Sequence, residues 1–191
     1  MTEEQVGRPS LDSTAADPLE VDSISMDPLS YIAQGWFIFP CHSIRSRSCT
    51  CGNPDCGRNA GKHPRTRNGF KDASNNPAVI QSWINQWLHE INWAVVTGRI
   101  SGIFVVDVDA HRGGAWPEDL WGPKPSTLTA ATGNGGWHHY FTYPSDGLPL
   151  GNRGNVVPGV DIKSDGGYVI LPPSRHISGG SYAWLRDGVT S

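Results

Sequence analysis

No stretch of this chain strings together the roughly 20 apolar residues that a membrane-spanning helix needs. The opening residues, Met1 to Ser10, are polar and acidic and lack the apolar centre of a secretory signal. Charge is also scarce: charged residues make up 17% of the sequence and leave a formal net charge of -3, so no global cationic excess marks a polyanion-binding protein. These absences exclude a membrane anchor and argue against a disulfide scaffold, because cysteines in a chain without a signal stay reduced. The expectation is a cytoplasmic protein with no membrane partner.

What is present describes a turn-rich globular chain. Hydrophobic residues make up 37% of the 191 positions, with eight Trp, 23 Gly and 15 Pro. That length suits one domain, or one core with a small metal-stapled appendage. The charge is unevenly spread. Residues 1 to 30 hold seven acids against Arg8 alone, whereas Arg45, Arg47, Arg58, Lys62, Arg65, Arg67 and Lys71 stand against Asp55 alone in residues 41 to 71. A basic run of that kind is as readily a solvated face as a phosphate-binding patch.

Residues 1–27 carry too few large apolar groups to offset the entropy of ordering and are expected to be a disordered acidic tail, with the folded domain over 28–191. Asp27 to Gln34 reads as a short helix and Gly35 to Pro40 as a buried strand. Asn75 and Asn76 before Pro77 start a helix whose Val79, Ile80, Trp83, Ile84, Trp87 and Leu88 recur at helical spacing through Glu90. Asn92 to Thr97 and Ile103 to Asp109 read as strands joined by the turn Gly98 to Gly102. Ser126 to Ala131 and Trp137 to Tyr143 form another pair around Thr132 to Gly136. Val160 to Lys163 and Tyr168 to Leu171 read as a last hairpin. The class is α+β, or mixed α/β.

Three groups of residues carry chemistry. In Ile103-Phe-Val-Val-Asp107-Val-Asp109 an apolar strand ends in two acids separated by one residue, and the strand period of two sends both side chains to one side. Their Cα atoms would sit roughly 6 to 7 Å apart, close enough for the carboxylates to share divalent cations. Alone, Asp-x-Asp reads more readily as a solvated strand end; Asp161, on a strand that can pair nearby, supplies a third acid. Three such oxygen ligands suit two Mg²⁺ or Mn²⁺ ions, which keep waters and substrate phosphates as further ligands.

The second group is the turn Thr132-Gly133-Asn134-Gly135-Gly136, whose glycines can take positive φ and turn backbone N–H groups toward an anion. His138 follows on one strand face with Tyr140, and His139 lies on the other; His138 is the candidate nucleotide contact. Lys163 shares a face with Asp161 and can neutralise phosphate charge, although a plain surface lysine fits as well. The third group is Cys49-Thr-Cys51, Cys56 and His63, a soft ligand set matching tetrahedral structural Zn²⁺. Such an ion would hold the otherwise coreless segment 41–71, and the Arg and Lys interleaved with it can then grip a phosphate backbone. Cys41 is either a small buried apolar residue or a substitute for Cys49.

Taken together, Cys-x-Cys-x4-Cys with Gly61-Lys-His-Pro64, Asn92-Trp-Ala-Val-Val-Thr-Gly98, Val105-Val-Asp-Val-Asp109, Thr132-Gly-Asn-Gly-Gly-Trp-His138 and Gly159-Val-Asp-Ile-Lys-Ser-Asp-Gly-Gly-Tyr168 before Pro172-Pro-Ser174 resemble a known family. It is the bifunctional primase/polymerase N-terminal (prim-pol) family of the archaeo-eukaryotic primase superfamily, and the likeness runs from about Leu29 to Trp184. The resemblance implies an RNA-recognition-motif-like catalytic sheet beside a small αβ lobe, with a zinc-binding loop near template or primer. It also implies Asp107, Asp109 and Asp161 as metal-binding acids, and His138 as a nucleotide contact. The expected partners are single-stranded DNA template and primer, NTP or dNTP, and a helicase domain or protein. The rival readings are a non-catalytic zinc-containing nucleic-acid-binding module and a metal-dependent phosphoesterase or nuclease.

Overall fold

Asp27 accepts a hydrogen bond from the Leu29 amide at 3.0 Å and so caps helix α1 (Pro28–Ala33), whose leading proline occupies the one turn where a missing N–H is no loss. The computed structural model describes residues 26–88, 90–145 and 148–185. The expected tail over 1–27 therefore lies outside the described residues, apart from Met26 and Asp27. No helix among the described residues is long and apolar enough to cross a membrane.

The architecture is α+β. After α1 come β1 (Ile38–His42), the short strands β2 (Ile44–Arg45) and β3 (Ser48–Cys49), helix α2 (Pro77–Trp87) and β4 (Ile91–Val96). Next are β5 (Ile103–Val108), the single turn α3 (Glu118–Trp121), β6 (Thr129–Ala131), β7 (Trp137–Thr142), β8 (Arg153–Val157), β9 (Val160–Lys163), β10 (Tyr168–Ile170) and β11 (Ala183–Trp184). Helix α2 begins as the sequence predicts, with Asn76 accepting from the Ala78 amide at 2.9 Å. It ends at Trp87 rather than Glu90, because Leu88 turns to φ +51. The strand expected over Gly35 to Pro40 is displaced to Ile38–His42, with Pro40 inside it. Proline is tolerated there because β1 is an edge strand.

The expected hairpin of Val160 to Lys163 with Tyr168 to Leu171 does not form, and the two strands joined by the turn Gly98 to Gly102 are not neighbours either. The strands belong to a three-stranded sheet in the order β1-β4-β10 and a six-stranded sheet in the order β11-β6-β7-β5-β9-β8. The turn Gly98 to Gly102 thus carries the chain out of the first sheet into the second, and Ser164 to Gly167 carries it back. The physical reason lies in β4 and β5, which are apolar almost throughout and are each paired on both edges. Neither needs the other as a neighbour. The two crossings are fastened together: Asp165 accepts from the Arg99 amide at 2.9 Å and the Tyr143 hydroxyl at 2.6 Å, while Thr97 donates to the carbonyls of Ser164 and Gly167. Gly98 is required here, since a Cβ would lie 2.3 Å from the Asp165 carboxylate.

The main core fills the space between the sheets and the helices, with Tyr31, Trp36, Ile80, Val95, Val105 and Tyr140 at its centre. Trp36 stacks between Tyr31 and Tyr140, with ring centroids 5.9 and 5.7 Å away. The opposite face of the larger sheet is covered separately, as Phe104, Val106, Val108 and Phe141 pack against Trp116 and its neighbours. Strand β5 therefore turns Ile103 and Val105 into the main core, and its next residue on that face is Asp107. The candidate site is where the core face runs out.

Candidate functional site

Asp107 pairs with His138 on β7 on one side and with Asp161 on β9 on the other. Direct antiparallel partners point their side chains to the same face, so His138, Asp107 and Asp161 form one row across three neighbouring strands. Lys163 lies on the same face two residues along β9. His138 Nε2 is 3.5 Å from the Asp107 carboxylate, and Lys163 Nζ is 2.8 Å from Asp161 and 3.9 Å from Asp107.

Asp109 lies just beyond β5, where its carboxylate accepts from the His111 amide at 3.1 Å and caps a short 3-10 turn. Asp107 and Asp109 nevertheless open onto the same cavity, of about 350 Å³, as their spacing predicts. Asp161 is not among the residues that line this cavity; it is held by the Asn155 amide at 2.7 Å as well as by Lys163. Burial works to raise its pKa, and those hydrogen bonds outweigh burial and hold it below the ordinary value. Among the described residues the three carboxylates do not gather into a ready metal cage.

His138 is buried, and burial lowers its pKa against the upward pull of Asp107, so the imidazole is neutral at pH 7. His139 faces the other way, into the covered side of the sheet, where it meets the Thr129 hydroxyl at 3.0 Å and the edge of Trp116. The glycine turn differs from its expectation. The Gly135 amide donates to the Thr132 carbonyl and the Gly136 amide to the Thr132 hydroxyl, so these N–H groups close the turn rather than face an anion. Gly136 is needed for packing, because a Cβ would meet the Val108 carbonyl at 2.3 Å, and at Gly133 one would meet His176 at the same distance. Thr132 and Asn134 are the turn residues that line the cavity.

The remaining walls were not marked as site residues by the sequence. Lys62 comes from the cysteine loop; burial lowers its pKa while Asp107 and Asp109 raise it. His176 and Tyr182 come from the segment after β10, and the Tyr182 ring lies 5.8 Å from that of His138. Lys62 stood within a visible basic run, but nothing in its local pattern set it apart. For His176 and Tyr182 no motif signal existed.

The second constellation is complete as it stands. Single donor atoms of Cys49, Cys51, Cys56 and His63 all lie within 4.8 Å of one another. Cys49 and Cys56 approach His63 Nε2 at 3.3 and 3.5 Å, and Cys51 meets Cys56 at 3.0 Å. The thiols of that last pair share a hydrogen bond, which lowers the pKa of Cys51 and pushes that of Cys56 up to about 12. Three thiols and an imidazole at these distances fit a tetrahedral zinc ion. Cys41 is excluded from the set: it is fully buried against Phe39 and Ala94, and its thiol reaches the Lys62 carbonyl. Around the cluster, β2 and β3 make a two-residue hairpin with Ser46 and Arg47 at φ +50 and +61.

The basic run divides by role. Arg65 lies over the Trp87 ring and donates to the Glu90 carbonyl, and Arg45 pairs with Glu90. Arg47, Arg58, Arg67 and Lys71 are exposed, and Lys62 alone enters the cavity. Comparison with protein families matches residues 28–190 to the model described as "Bifunctional DNA primase/polymerase, N-terminal". Comparison with curated proteins gives no match.

Proposed function

The chain belongs to the bifunctional DNA primase/polymerase N-terminal family, whose chemistry is of the nucleotidyltransferase kind, and from that membership we propose that it extends a 3′-hydroxyl on a DNA template. The observation that carries this reading is the in-register row of His138, Asp107 and Asp161, of which His138 and Asp107 line a cavity that also holds Asp109, Lys62 and Lys163.

The charge balance tells what the cavity takes. Two carboxylates, Asp107 and Asp109, and two ammonium groups, Lys62 and Lys163, line the cavity, and the Asp161 carboxylate stands outside the lining 2.8 Å from Lys163. Burial keeps His138 and His176 neutral, so the site carries no net positive charge to receive a polyanion. A nucleoside triphosphate adds further negative charge and enters favourably only in company with cations. Oxygen ligands of this kind fit Mg²⁺ or Mn²⁺. Asp107, Asp109 and Asp161 would hold such ions, whose charge would neutralise the phosphates and make a 3′-hydroxyl easier to deprotonate. Lys163 sits between Asp107 and Asp161 and would be free to neutralise a phosphate if those acids held metal. His138, fixed by its burial and by Asp107, presents a neutral imidazole edge to the nucleotide. Asp161 would have to leave the Asn155 amide to act with the other two acids.

In the loop, Cys49, Cys51, Cys56 and His63 hold a structural zinc ion. The exposed Arg47, Arg58 and Arg67 beside it contact the phosphate backbone of single-stranded template or primer. A helicase, in the same chain or another, is the proposed replication partner.

The deciding assay supplies ribonucleotides and deoxyribonucleotides separately, with Mg²⁺ or Mn²⁺, on primed and unprimed single strands. Elongation or synthesis of new strands supports the proposal. Shortening of a labelled primer would instead identify a phosphoesterase or nuclease acting through the same acids, and retention of DNA without either product would identify a binding module.

A further inference from the structure

We propose that Lys62 is a triphosphate-binding residue and that the cysteine/histidine loop exists in part to hold it in the cavity, so that metal occupancy of the loop governs nucleotide affinity at the aspartate row. The inference rests on the nucleotide-site reading above.

Lys62 is the residue immediately before the ligand His63. Its main chain is fastened on every side. Its amide donates to the Asn59 carbonyl at 2.9 Å, and its carbonyl accepts from the Tyr168 hydroxyl at 3.2 Å and the Cys41 thiol at 3.5 Å. On one flank, the Gly61 amide donates to the Cys49 sulfur and the Gly61 carbonyl accepts from Asn92. On the other, the His63 carbonyl accepts from the His42 amide at 2.9 Å. Two ligands of the cluster, Cys49 and His63, thus bracket the short segment that carries Lys62. Asn92, buried at 1% exposure, completes the frame by also bonding Ser43 and both main-chain groups of Arg175, next to the cavity residue His176.

The side chain goes from this frame into the cavity shared with Asp107 and Asp109. Lys163 is already engaged by two carboxylates, whereas among the described residues no carboxylate lies within 4.0 Å of the Lys62 ammonium. A half-buried ammonium aimed at a cavity, without an acid in contact, is placed to receive an anionic ligand. The apolar cluster inside the loop is small, with Ile44, Cys49 and Ala60 as its buried members, so the four-ligand cluster is placed to reinforce the hydrogen bonds that hold this position.

The test uses the full, zinc-loaded chain and titration calorimetry with a non-hydrolysable α,β-imido deoxynucleoside triphosphate and excess Mg²⁺, so that no turnover is needed. Lys62→Ala should weaken binding about tenfold or more while zinc content stays that of the wild type, and Lys62→Arg should restore most of the affinity. A zinc-selective chelator should weaken wild-type binding by a similar factor and leave Lys62→Ala nearly unchanged. Unaltered affinity in Lys62→Ala would overturn the assignment. Wild-type indifference to the chelator, or a further tenfold loss in Lys62→Ala on chelation, would overturn the coupling to the loop. If the wild-type chain bound no triphosphate at all, the nucleotide-site reading itself would fall, and this inference with it.

Discussion

In the cysteine loop, four donors from residues 49–63 lie within 4.8 Å of one another before any ion is considered. In the aspartate row each carboxylate instead has a partner from the protein: Lys163 and Asn155 for Asp161, the His111 amide for Asp109, and His138 and Lys163 nearby for Asp107. The difference follows from ligand chemistry and from purpose. Thiols and an imidazole near neutral charge can crowd together without repulsion, and a loop lacking a core needs them crowded. Three carboxylates cannot be pressed together without raising a pKa or finding cations. The structure instead gives each of them its own partner from the protein.

The contrast can be broken most directly at Asp107. Asp107→Asn keeps the shape of the side chain and removes its charge, and it should lower nucleotide incorporation by roughly 10³-fold with little change in melting temperature. An active variant in a quantitative extension assay would mean that the row is not the reaction centre. In the loop the expected loss is of structure: Cys51→Ser should abolish stoichiometric zinc in a metal analysis and cost several kcal/mol in thermal unfolding. Equal stability with no zinc would show that the cluster is not what orders the loop.

Lys163 sharpens the comparison from the other direction. Lys163→Ala removes the cation that stands 2.8 Å from Asp161, and binding of Mn²⁺ alone should tighten severalfold while triphosphate affinity falls. Calorimetry with and without nucleotide reads both changes; weaker Mn²⁺ binding would contradict the exchange of lysine for metal. The smallest effect is expected at Asp165, the fastener between the two sheets. The Tyr143 hydroxyl chiefly lowers its pKa below the ordinary 3.8, against an upward push from burial and with help from the Arg99 amide. A depressed folded-state value means that the carboxylate's contribution is complete above the unfolded value near 3.8 and is lost as pH falls through the folded one. Asp165→Asn should therefore destabilise the fold only slightly at pH 7, because solvent screens this carboxylate, and the gap from wild type should close as pH falls below about 4 in urea unfolding.

The face on which each candidate side chain stands was legible because strand periodicity is local. Alternation along Ile103 to Asp109 and Trp137 to Tyr143 put Asp107 and Asp109 on one side and separated His138 from His139, and the cavity and the covered sheet face agree with both assignments. Spacing likewise exposed the candidate metal ligands, since Cys49, Cys51, Cys56 and His63 lie within one loop. Strand partnership was not legible. Continuous apolar runs such as β4 and β5 fit a hairpin or two separate sheets equally well, and a glycine turn permits either path. The same ambiguity misread β9 and β10. The edge strand β8, with its exposed Arg153, Gly154 and Asn155, carried too little apolar pattern to be seen. For the glycine turn, flexibility was visible but its use was not, because only the packed structure shows Gly136 against the Val108 carbonyl.

The sequence by itself determined which side chains are available, and on which face of a strand each stands, because backbone geometry imposes those alternations wherever a strand forms. The tertiary structure alone decided that Asp161 lies across from Asp107, that His176 and Tyr182 close the cavity, and that a lysine from the cysteine loop enters it. These are contacts between segments separated by dozens of residues, and no periodicity reaches across such a distance. They are fixed by the mutual burial of two sheets and by the pair of crossings that joins them.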